Sequence, residues 1–427
     1  MAHEFKTASK TGTLNLPSLP PTWEWIPFKH LCEISAEYGL NVGSNEYQNE
    51  GTRFIRTTDI QDFETISNGG VYLDPSLCKE YLLKKGDILI SRSGTVGKSY
   101  FHRLSEEPCA FASYLVRFRL RKSIESKFVA YYLESKPFKQ LVELESTQAT
   151  ISNVSGRKFA DMPVPIPESV YQRKIVQFLN FQTNKINTLI DKNQRLLELL
   201  DEKSESLITK LVTIGSSPKT QMQDSNIDWL GEIPENWDII RTRYLCKITT
   251  GSGDTQDAEP DGEYPFVVRS QRLERSNTYT FDGEGVLTAG DGNVGEVFHH
   301  IEGKFHYHQR VYLFYDFRNI LPLYFYYYMK AFFSTVALAE SAKSTVDSLR
   351  RPMLLDFPVA VPPIIEQESI VESIKNSTAN IDNLHSKIEN QISLLEKKRQ
   401  ALITAAVTGQ IEVSDWEHPA EEACVFS

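Results

Sequence analysis

One internal repeat constrains the fold of this chain more than any other feature of its sequence. Residues 168–213 and 363–408 align without a gap at an offset of 195, and 15 of the 46 aligned residues are identical. The segment 93–97 also recurs, as 291–295, but the sequence around it differs. A constant scaffold with two varied parts favours one architecture that presents two different surfaces. Duplication followed by drift is the plainer alternative.

Length and composition set the class of protein. The 427 residues exceed what one hydrophobic core usually serves, so two or three domains are expected. Apolar residues make up 41% and charged residues 24%, which excludes an intrinsically disordered chain. The sequence shows no membrane-spanning apolar run and no signal peptide, and its five cysteines are scattered singly. We therefore expect a protein of the reducing cytoplasm without membrane contact. Its net charge of −10 argues against coating nucleic acid by bulk electrostatics.

The repeated segments predict two long helices. Residues 169–213 contain neither proline nor glycine, and apolar residues recur every seven positions in both copies. These heptad positions are Leu179, Ile186, Leu200, Leu207, Ile374, Ile381, Ile388, Leu395 and Leu402. A second seam is predicted beside them through Leu189, Leu196, Leu384 and Ala405. Helices of about 45 residues are roughly 65 Å long and need a partner. A two-fold relation between the copies predicts an antiparallel coiled coil with one globular part at each end.

The remaining sequence predicts two α+β globular parts, because short β-like runs alternate with turns and each part has one aromatic helical stretch. The pattern divides the chain into five segments. They are a first globular domain (1–167), a central helix (168–215), a second globular domain (216–362), a C-terminal helix (363–412) and an acidic tail (413–427).

Each globular part holds a glycine loop with polar side chains, named here loop 1 (residues 92–99) and loop 2 (residues 290–295). Loop 1 ends in Gly-Lys-Ser but does not match a nucleotide-binding P-loop. Arg92 stands where that pattern requires glycine, and β-like sequence follows where a helix should start. Two interpretations stay open: structural tight turns, or exposed loops whose side chains bond base edges or phosphates.

Candidate DNA-binding residues cluster at matching places in both copies. Arginine and glutamine are suited to bidentate bonds with guanine and adenine, and serine, threonine, lysine and asparagine can bond bases or phosphates. In the first copy the candidates are Arg53, Arg56, Thr57, Thr58, Arg92, Ser93, Thr95 and Lys98. In the second they are Arg269, Ser270, Gln271, Arg272, Arg275, Asn293, His308 and Arg310. Taken singly, each is more simply a solvated surface residue.

The sequence contains one group of residues typical of a metal site but no catalytic motif. The group His299, His300, His306 and His308 places two imidazoles on one strand face, but no carboxylate or cysteine completes an evident ligand set. The sequence lacks the Asn/Asp-Pro-Pro-Tyr/Phe motif of methyltransferases and a glycine-rich cofactor loop opening a βαβ unit. We expect no catalytic site, no metal and no cofactor in this chain.

Taken in order and twice over, these motifs resemble the specificity subunit of Type I restriction-modification systems. The likeness covers about residues 15–412. It rests on tryptophans near the start of each copy, the run from Gly86 to Gly97, proline-rich helix starts, the Glu366-Gln367 pair and similar helix ends. The matching segments are 21–23, 234–237, 86–97, 163–167, 358–363, 366–371, 207–213 and 402–409.

The resemblance implies that each globular domain is a target recognition domain for one half of a bipartite, asymmetric double-stranded DNA target, with the helices as a ruler. It also implies methyltransferase subunits, two in number, and restriction/translocase subunits as partners. S-adenosylmethionine, ATP and Mg²⁺ would belong to those partners. Two other classes stay open: a coiled-coil protein-interaction adaptor without sequence-specific DNA binding, and a nuclease or other enzyme acting alone.

Overall fold

The computed structural model describes residues 7–9, 12–14, 16–103, 107–146, 153–217, 221–292, 294–341, 349–417 and 419. The chain divides into two compact units. Unit 1 comprises residues 1–192 and 390–427, and unit 2 comprises residues 193–389. Both boundaries fall inside a long helix, so each unit contains part of both helices. The units therefore follow tertiary contact, whereas the domain limits drawn from the sequence follow element type.

Unit 1 contains eleven strands within its described residues. They are β1 (Thr7–Ser9), β2 (Gly12–Leu14), β3 (Glu24–Pro27), β4 (Cys32–Tyr38), β5 (Thr52–Ile55), β6 (Val71–Leu73), β7 (Ile88–Ser91), β8 (Ser99–Phe101), β9 (Cys109–Phe111), β10 (Leu115–Leu120) and β11 (Pro163–Ile166). Its short helices are α1 (Phe28–Leu31), α2 (Pro75–Cys78), α3 (Ser126–Leu133), α4 (Lys136–Ser146) and α5 (Gly156–Asp161), and the long helix α6 (Ser169–Ile214) follows. The main sheet has the order β4-β10-β7-β8, and a second sheet has the order β6-β5-β9.

Unit 2 repeats this plan. Its strands are β12 (Met222–Asp224), β13 (Glu232–Pro234), β14 (Asp238–Arg241), β15 (Lys247–Thr250), β16 (Tyr264–Val267), β17 (Glu274–Ser276), β18 (Phe281–Ala289), β19 (Phe298–Tyr307), β20 (Val311–Tyr315) and β21 (Pro358–Val361). Its helices are α7 (Thr242–Leu245), α8 (Pro322–Ser341), α9 (Arg351–Asp356) and the long helix α10 (Ile364–Val407). The α+β class predicted from the sequence is confirmed.

The two units differ in how their sheets are joined. In unit 2, β19 pairs with β18 along its length and, through its last residues, with β16 in parallel. One continuous strand thus links six strands in the order β15-β20-β18-β19-β16-β17. In unit 1 two separate strands hold these places: β8 pairs with β7, and β9 pairs with β5 in parallel. The same strand order therefore forms one sheet in unit 2 and two sheets in unit 1.

The long helices run antiparallel within each unit, as predicted. In unit 1, Nη1 of Arg399 donates to Oδ1 of Asn187 at 2.6 Å. In unit 2, Nε2 of His385 lies 3.6 Å from Oδ1 of Asp201. Within the described part of the chain, none of the helices combines the length and the apolar character needed to cross a membrane.

The buried face of α6 corrects one detail of the heptad prediction. Leu179 and Ile186 of the first predicted seam are buried, whereas Leu189 of the second is 47% exposed, and Leu196 and Leu384 are exposed as well. The second seam consists instead of Thr183 and Ile190, one residue further along. An α-helix has 3.6 residues per turn, so side chains spaced by four and then three residues share a face as readily as those spaced by three and then four.

Each hydrophobic core includes the start of one long helix and the end of the other. In unit 1, Ile175 and Leu179 of α6 share a core with Ile403 and Val407 of α10. In unit 2 the order is reversed: the core contains Ile208 and Val212 of α6 together with Ile370, Val371 and Ile374 of α10. This packing fixes the globular part of each unit to its helices.

Candidate nucleic-acid interface

The glycines of loops 1 and 2 have matching backbone conformations. Gly94 and Gly97 have positive φ angles of 71° and 83°, and Gly292 and Gly295 have angles of 76° and 79°. A Cβ at Gly97 would lie 2.7 Å from Val142 of α4, whereas one at Gly94 would meet nothing within 4 Å. The same contrast holds in loop 2, where Gly295 lies against α8 and Gly292 is open. Each loop is thus packed on a helix at one end and exposed at its tip. Asn293 lies outside the described residues.

The hydrogen bonds of the first loop residue show which side chains are equivalent. The backbone N–H of Arg92 donates to Tyr114 O (3.0 Å), and that of Gly290 donates to Arg310 O (2.8 Å). The carbonyl oxygens of both residues also accept a backbone bond, from Val154 in unit 1 and from its equivalent, residue 349, in unit 2. Arg92 therefore corresponds to Gly290, and Tyr114 corresponds to Arg310. The same scaffold carries different side chains in the two units.

In unit 2, Asp291 of loop 2 joins two of the charged candidates. Oδ1 of Asp291 accepts from Nη1 of Arg269 at 3.0 Å, and its Oδ2 accepts from Nη1 of Arg310 at 2.5 Å. Burial opposes ionisation of Asp291, but the hydrogen bonds from Arg310 and Arg269 outweigh it and lower the pKa of the carboxyl group. Both arginines are exposed to solvent. The sequence predicted the two arginines but not the aspartate that joins them.

The histidines of unit 2 each bond a different neighbour. His308 is buried, and its Nδ1 accepts from the backbone N–H of Arg310 at 3.0 Å. Burial, with a smaller effect of Arg269, lowers the pKa of His308. His299 bonds the carbonyl of Ser270, and His300 bonds a carboxylate. Among the described residues, no group of three or more histidine, cysteine or acidic side chains could hold a metal ion.

The remaining candidates of unit 2 lie between the end of β16 and the middle of β17. Ser270 donates to the carbonyl of Arg272 at 2.8 Å, which closes a turn. Gln271 and Arg272 are exposed. Arg275 is also exposed, but its Nε and Nη2 donate to the carbonyls of Gly262 and Glu263. Arg275 thus keeps only part of its hydrogen-bonding capacity for a ligand.

In unit 1, the structure buries one of the predicted DNA-binding arginines. The side chain of Arg53 is 5% exposed and donates to the carbonyls of Ser67, Gly69 and Val71. Its guanidinium lies against Gly70, where an added Cβ would overlap it. Contact with DNA would require Arg53 to break these bonds.

The neighbouring candidates of unit 1 form a short helical turn. Arg56 donates through Nε and Nη2 to both oxygens of Asp59, at 3.0 and 2.9 Å. Burial raises the pKa of Asp59, but the bonds from Arg56 outweigh this and lower it overall. Thr57 Oγ1 is buried without a hydrogen-bond partner in the described structure, and Thr58 is exposed.

The four candidates of loop 1 differ in exposure and in their hydrogen bonds. The guanidinium of Arg92 lies 4.9 Å from the centre of the Tyr38 ring, and its Nε donates to Oδ1 of Asn153. Thr95 is exposed and Ser93 is half-buried. Nζ of Lys98 turns inward to the carbonyl of residue 60. Sequence reasoning missed Tyr38 and the neighbouring Tyr114, which are 40% and 61% exposed beside the loop. The only sequence signal for these two residues is an aromatic side chain at one end of a β-like run.

Comparison with known proteins identifies the family of this chain. The family model for the Type I restriction modification DNA specificity domain matches residues 20–199 and 234–394. The chain belongs to this Type I DNA specificity family. The two matched ranges each contain one glycine loop and its flanking strands, so both copies of the repeat correspond to the family's DNA specificity domain.

Relatives of the Type I DNA specificity family match different shares of this chain. The specificity subunit of the StySPI enzyme from Salmonella potsdam is 20% identical over 93% of this chain and 91% of the relative. That of EcoDI from Escherichia coli is 27% identical over 46% of this chain and 43% of the relative. A chain solved in a study of complex assembly and conformational transition of the type I R-M system is 14% identical. It covers 93% of this chain and 100% of its own, with a TM-score of 0.65, and shows the same fold.

Proposed function

We propose that this chain directs a Type I restriction-modification complex to a bipartite, asymmetric DNA target, with unit 1 reading one half-site and unit 2 the other. The observation that carries the proposal is the equivalence of loops 1 and 2. Their glycine conformations and the hydrogen bonds of their first residues match, but Arg92 and Tyr114 in unit 1 stand where Gly290 and Arg310 stand in unit 2. Different donors on the same scaffold bind different base edges, so the two half-sites differ.

The partners follow from the same proposal. They are double-stranded DNA, two methyltransferase subunits and restriction/translocase subunits. Within such a complex, S-adenosylmethionine, ATP and Mg²⁺ are held by the partners, and this chain contributes recognition without catalysis. The purified chain is then inactive on DNA with all three cofactors, and methylation begins when the methyltransferase subunit is added. Turnover by the chain alone would mean that it is itself an enzyme.

Methylome sequencing tests the proposal directly. A host that carries this chain and its methyltransferase partner is compared with the same host lacking only this gene. We expect one bipartite, asymmetric methylated motif to disappear. No difference, with both proteins expressed, would favour a coiled-coil adaptor without sequence-specific DNA binding, an alternative that family membership already disfavours.

A segment exchange then assigns each half-site to a unit. Residues 222–361 are replaced by the matching segment of a family member with a different target. We expect one half of the motif to change and the other to stay. A motif that changes in both halves, or in neither, would contradict the assignment of one half-site to each unit.

A point substitution in unit 1 makes the same test at one residue. Arg92→Ala removes a half-buried guanidinium from loop 1. We expect relaxed base preference in one half-site only, by roughly 5- to 150-fold at the affected base pair. Lys122→Ala is the matched control. It removes the same charge beyond the far end of β10, roughly 17 Å from the loop along the strand. Equal effects of both changes would indicate a general charge effect rather than base reading.

A further inference from the structure

Asp291 contacts two arginines that come from two other segments of unit 2. Arg269 follows β16, Arg310 precedes β20, and Asp291 follows β18. The carboxylate side chain is 20% exposed, whereas the two arginine side chains are 43% and 60% exposed. The contact thus joins three chain segments at the surface through one largely covered acid.

These bonds leave the outer edge of each guanidinium available. Arg269 and Arg310 each give one Nη1 donor to Asp291. Within the described residues, Nε and Nη2 of both arginines bond no acceptor. A guanine edge offers two acceptors, N7 and O6, which an arginine meets with two parallel donors. A side chain that is already held loses less rotamer freedom when it makes these bonds.

The backbone beneath Asp291 is fixed as well. Gly290 donates to the carbonyl of Arg310 and accepts from the backbone N–H of Leu349, both at 2.8 Å. The backbone N–H of Arg310 donates in turn to the buried His308. The acid and one of its arginines are therefore attached to the same rigid frame.

Electrostatics alone does not account for an acid at this place. A carboxylate repels phosphate, so a surface that served only to attract DNA would bind better without it. Two guanidinium groups against one carboxylate still leave a net charge of about +1. The acid is an advantage only if the direction of the two guanidinium groups matters.

We propose that Asp291 is a positioning residue for base recognition. It holds Arg269 and Arg310 so that their Nε and Nη2 edges face the acceptors of guanines in one half-site, and its own carboxylate does not touch DNA. The inference rests on the proposed function, because it names the groups with which unit 2 reads its half-site.

The test uses the chain assembled with its methyltransferase partner. Competition binding at one fixed salt concentration compares the target found by methylome sequencing with duplexes that carry one changed base pair at each position. We expect Asp291→Ala to lose roughly 5- to 150-fold in discrimination at the base pairs affected by Arg269→Ala and Arg310→Ala. Binding to non-specific DNA stays equal or rises, because a negative charge has been removed.

Asp282→Ala is the matched control. It removes the same charge from the opposite end of β18, roughly 23 Å away along the strand, and discrimination should not change. If Asp291→Ala discriminates like the unchanged complex or like Asp282→Ala, the positioning role is wrong.

Two further readouts separate the possible failures. Recognition of the unit 1 half-site by Asp291→Ala shows that the variant is folded. If that recognition is lost, Asp291→Asn takes its place in the same binding test, because it keeps the shape of the side chain and removes the charge. A complex of the unchanged chain without any sequence preference would overturn the proposed function itself, not only the role of Asp291.

Discussion

Gln172 and Gln367 hold equivalent positions at the starts of the two long helices and make the same pair of hydrogen bonds. Nε2 of each donates at 2.8 Å to a proline carbonyl five residues earlier. Oε1 of each accepts from a backbone N–H at the start of the aromatic helical stretch, from Glu125 at 2.9 Å and from Leu321 at 2.7 Å. Both side chains are buried. In each unit, one side-chain amide thus joins the long helix to the globular part through two hydrogen bonds. This shared role explains why the residue is identical in both repeats.

Gln172→Leu should destabilise unit 1. The leucine fills similar volume but leaves the buried carbonyl of Pro167 and the N–H of Glu125 without partners, which costs roughly 2–4 kcal/mol of unfolding free energy. Gln177→Leu changes an exposed glutamine of the same helix and should stay within about 0.5 kcal/mol. Guanidinium denaturation followed by far-ultraviolet circular dichroism compares the two, and equal midpoints would contradict the role assigned to the buried amide.

Gly409→Ala should destabilise unit 1 more than Gly94→Ala. The two glycines have nearly the same φ, 69° and 71°, so both substitutions carry a similar backbone strain of roughly 1–2 kcal/mol. Only at Gly409 would the new Cβ overlap a neighbour, Pro20 at 2.4 Å, beside Trp23. We expect an additional loss of about 1 kcal/mol or more. Thermal unfolding of both variants measures the difference, and its absence would show that Pro20 moves aside without cost.

Asp87→Asn should be among the most destabilising single changes in unit 1. Asp87 is fully buried and accepts two bonds of 2.7 Å from Arg119. Removal of its charge leaves a mostly buried guanidinium unpaired, at a cost of about 3 kcal/mol. Asp161→Asn breaks the half-exposed pair with Lys29 and should cost less than about 1 kcal/mol. Denaturant midpoints rank the two, and comparable losses would mean that Arg119 finds solvent or another partner.

The free energy of unfolding should decrease as the pH drops below about 6.5, because three of the buried histidines have a lowered pKa. Burial lowers the pKa of His102, His299 and His308 in the folded state. In the unfolded chain a histidine takes up its proton near pH 6.5. The unfolded state therefore binds more protons below that pH, and the free energy of unfolding decreases until the folded histidines also titrate.

His299→Gln isolates one of these contributions. The variant should lose less stability than the original chain between about pH 7.5 and about pH 5.5, the range around the pKa of an unfolded histidine. His102→Gln makes the same test in unit 1. Denaturation midpoints at three pH values give the slopes; slopes that match the original chain in both variants would refute the assigned pH dependence.

Several features of the fold were predictable from the sequence because they depend on local pattern. Proline-free and glycine-free stretches with apolar residues at helical spacing predict α6 and α10, and the offset of 195 pairs them. Gly94 and Gly292 could be placed in turns because glycine tolerates positive φ. The motif order also carried the resemblance that family membership confirms.

Other features were decided only by contacts between distant parts of the chain. Nothing local distinguishes Arg53, which is buried against three carbonyls, from Arg269, which is exposed. The seam of α6 runs through Ile190 rather than Leu189, because the packed face depends on how the helix turns toward its partner.

The sequence by itself thus determined the repeat, the two helices and the glycine turns, since helical periodicity and backbone preference act over a few residues. Only the tertiary structure decided which polar side chains are exposed and which meet. Asp291, Arg269 and Arg310 come from three segments. They come together because Ala289, at the end of β18, pairs with Val311, next to Arg310, and because Val267, at the end of β16, pairs with Tyr307, three residues before Arg310. These pairings depend on hydrogen bonds between strands far apart in the chain.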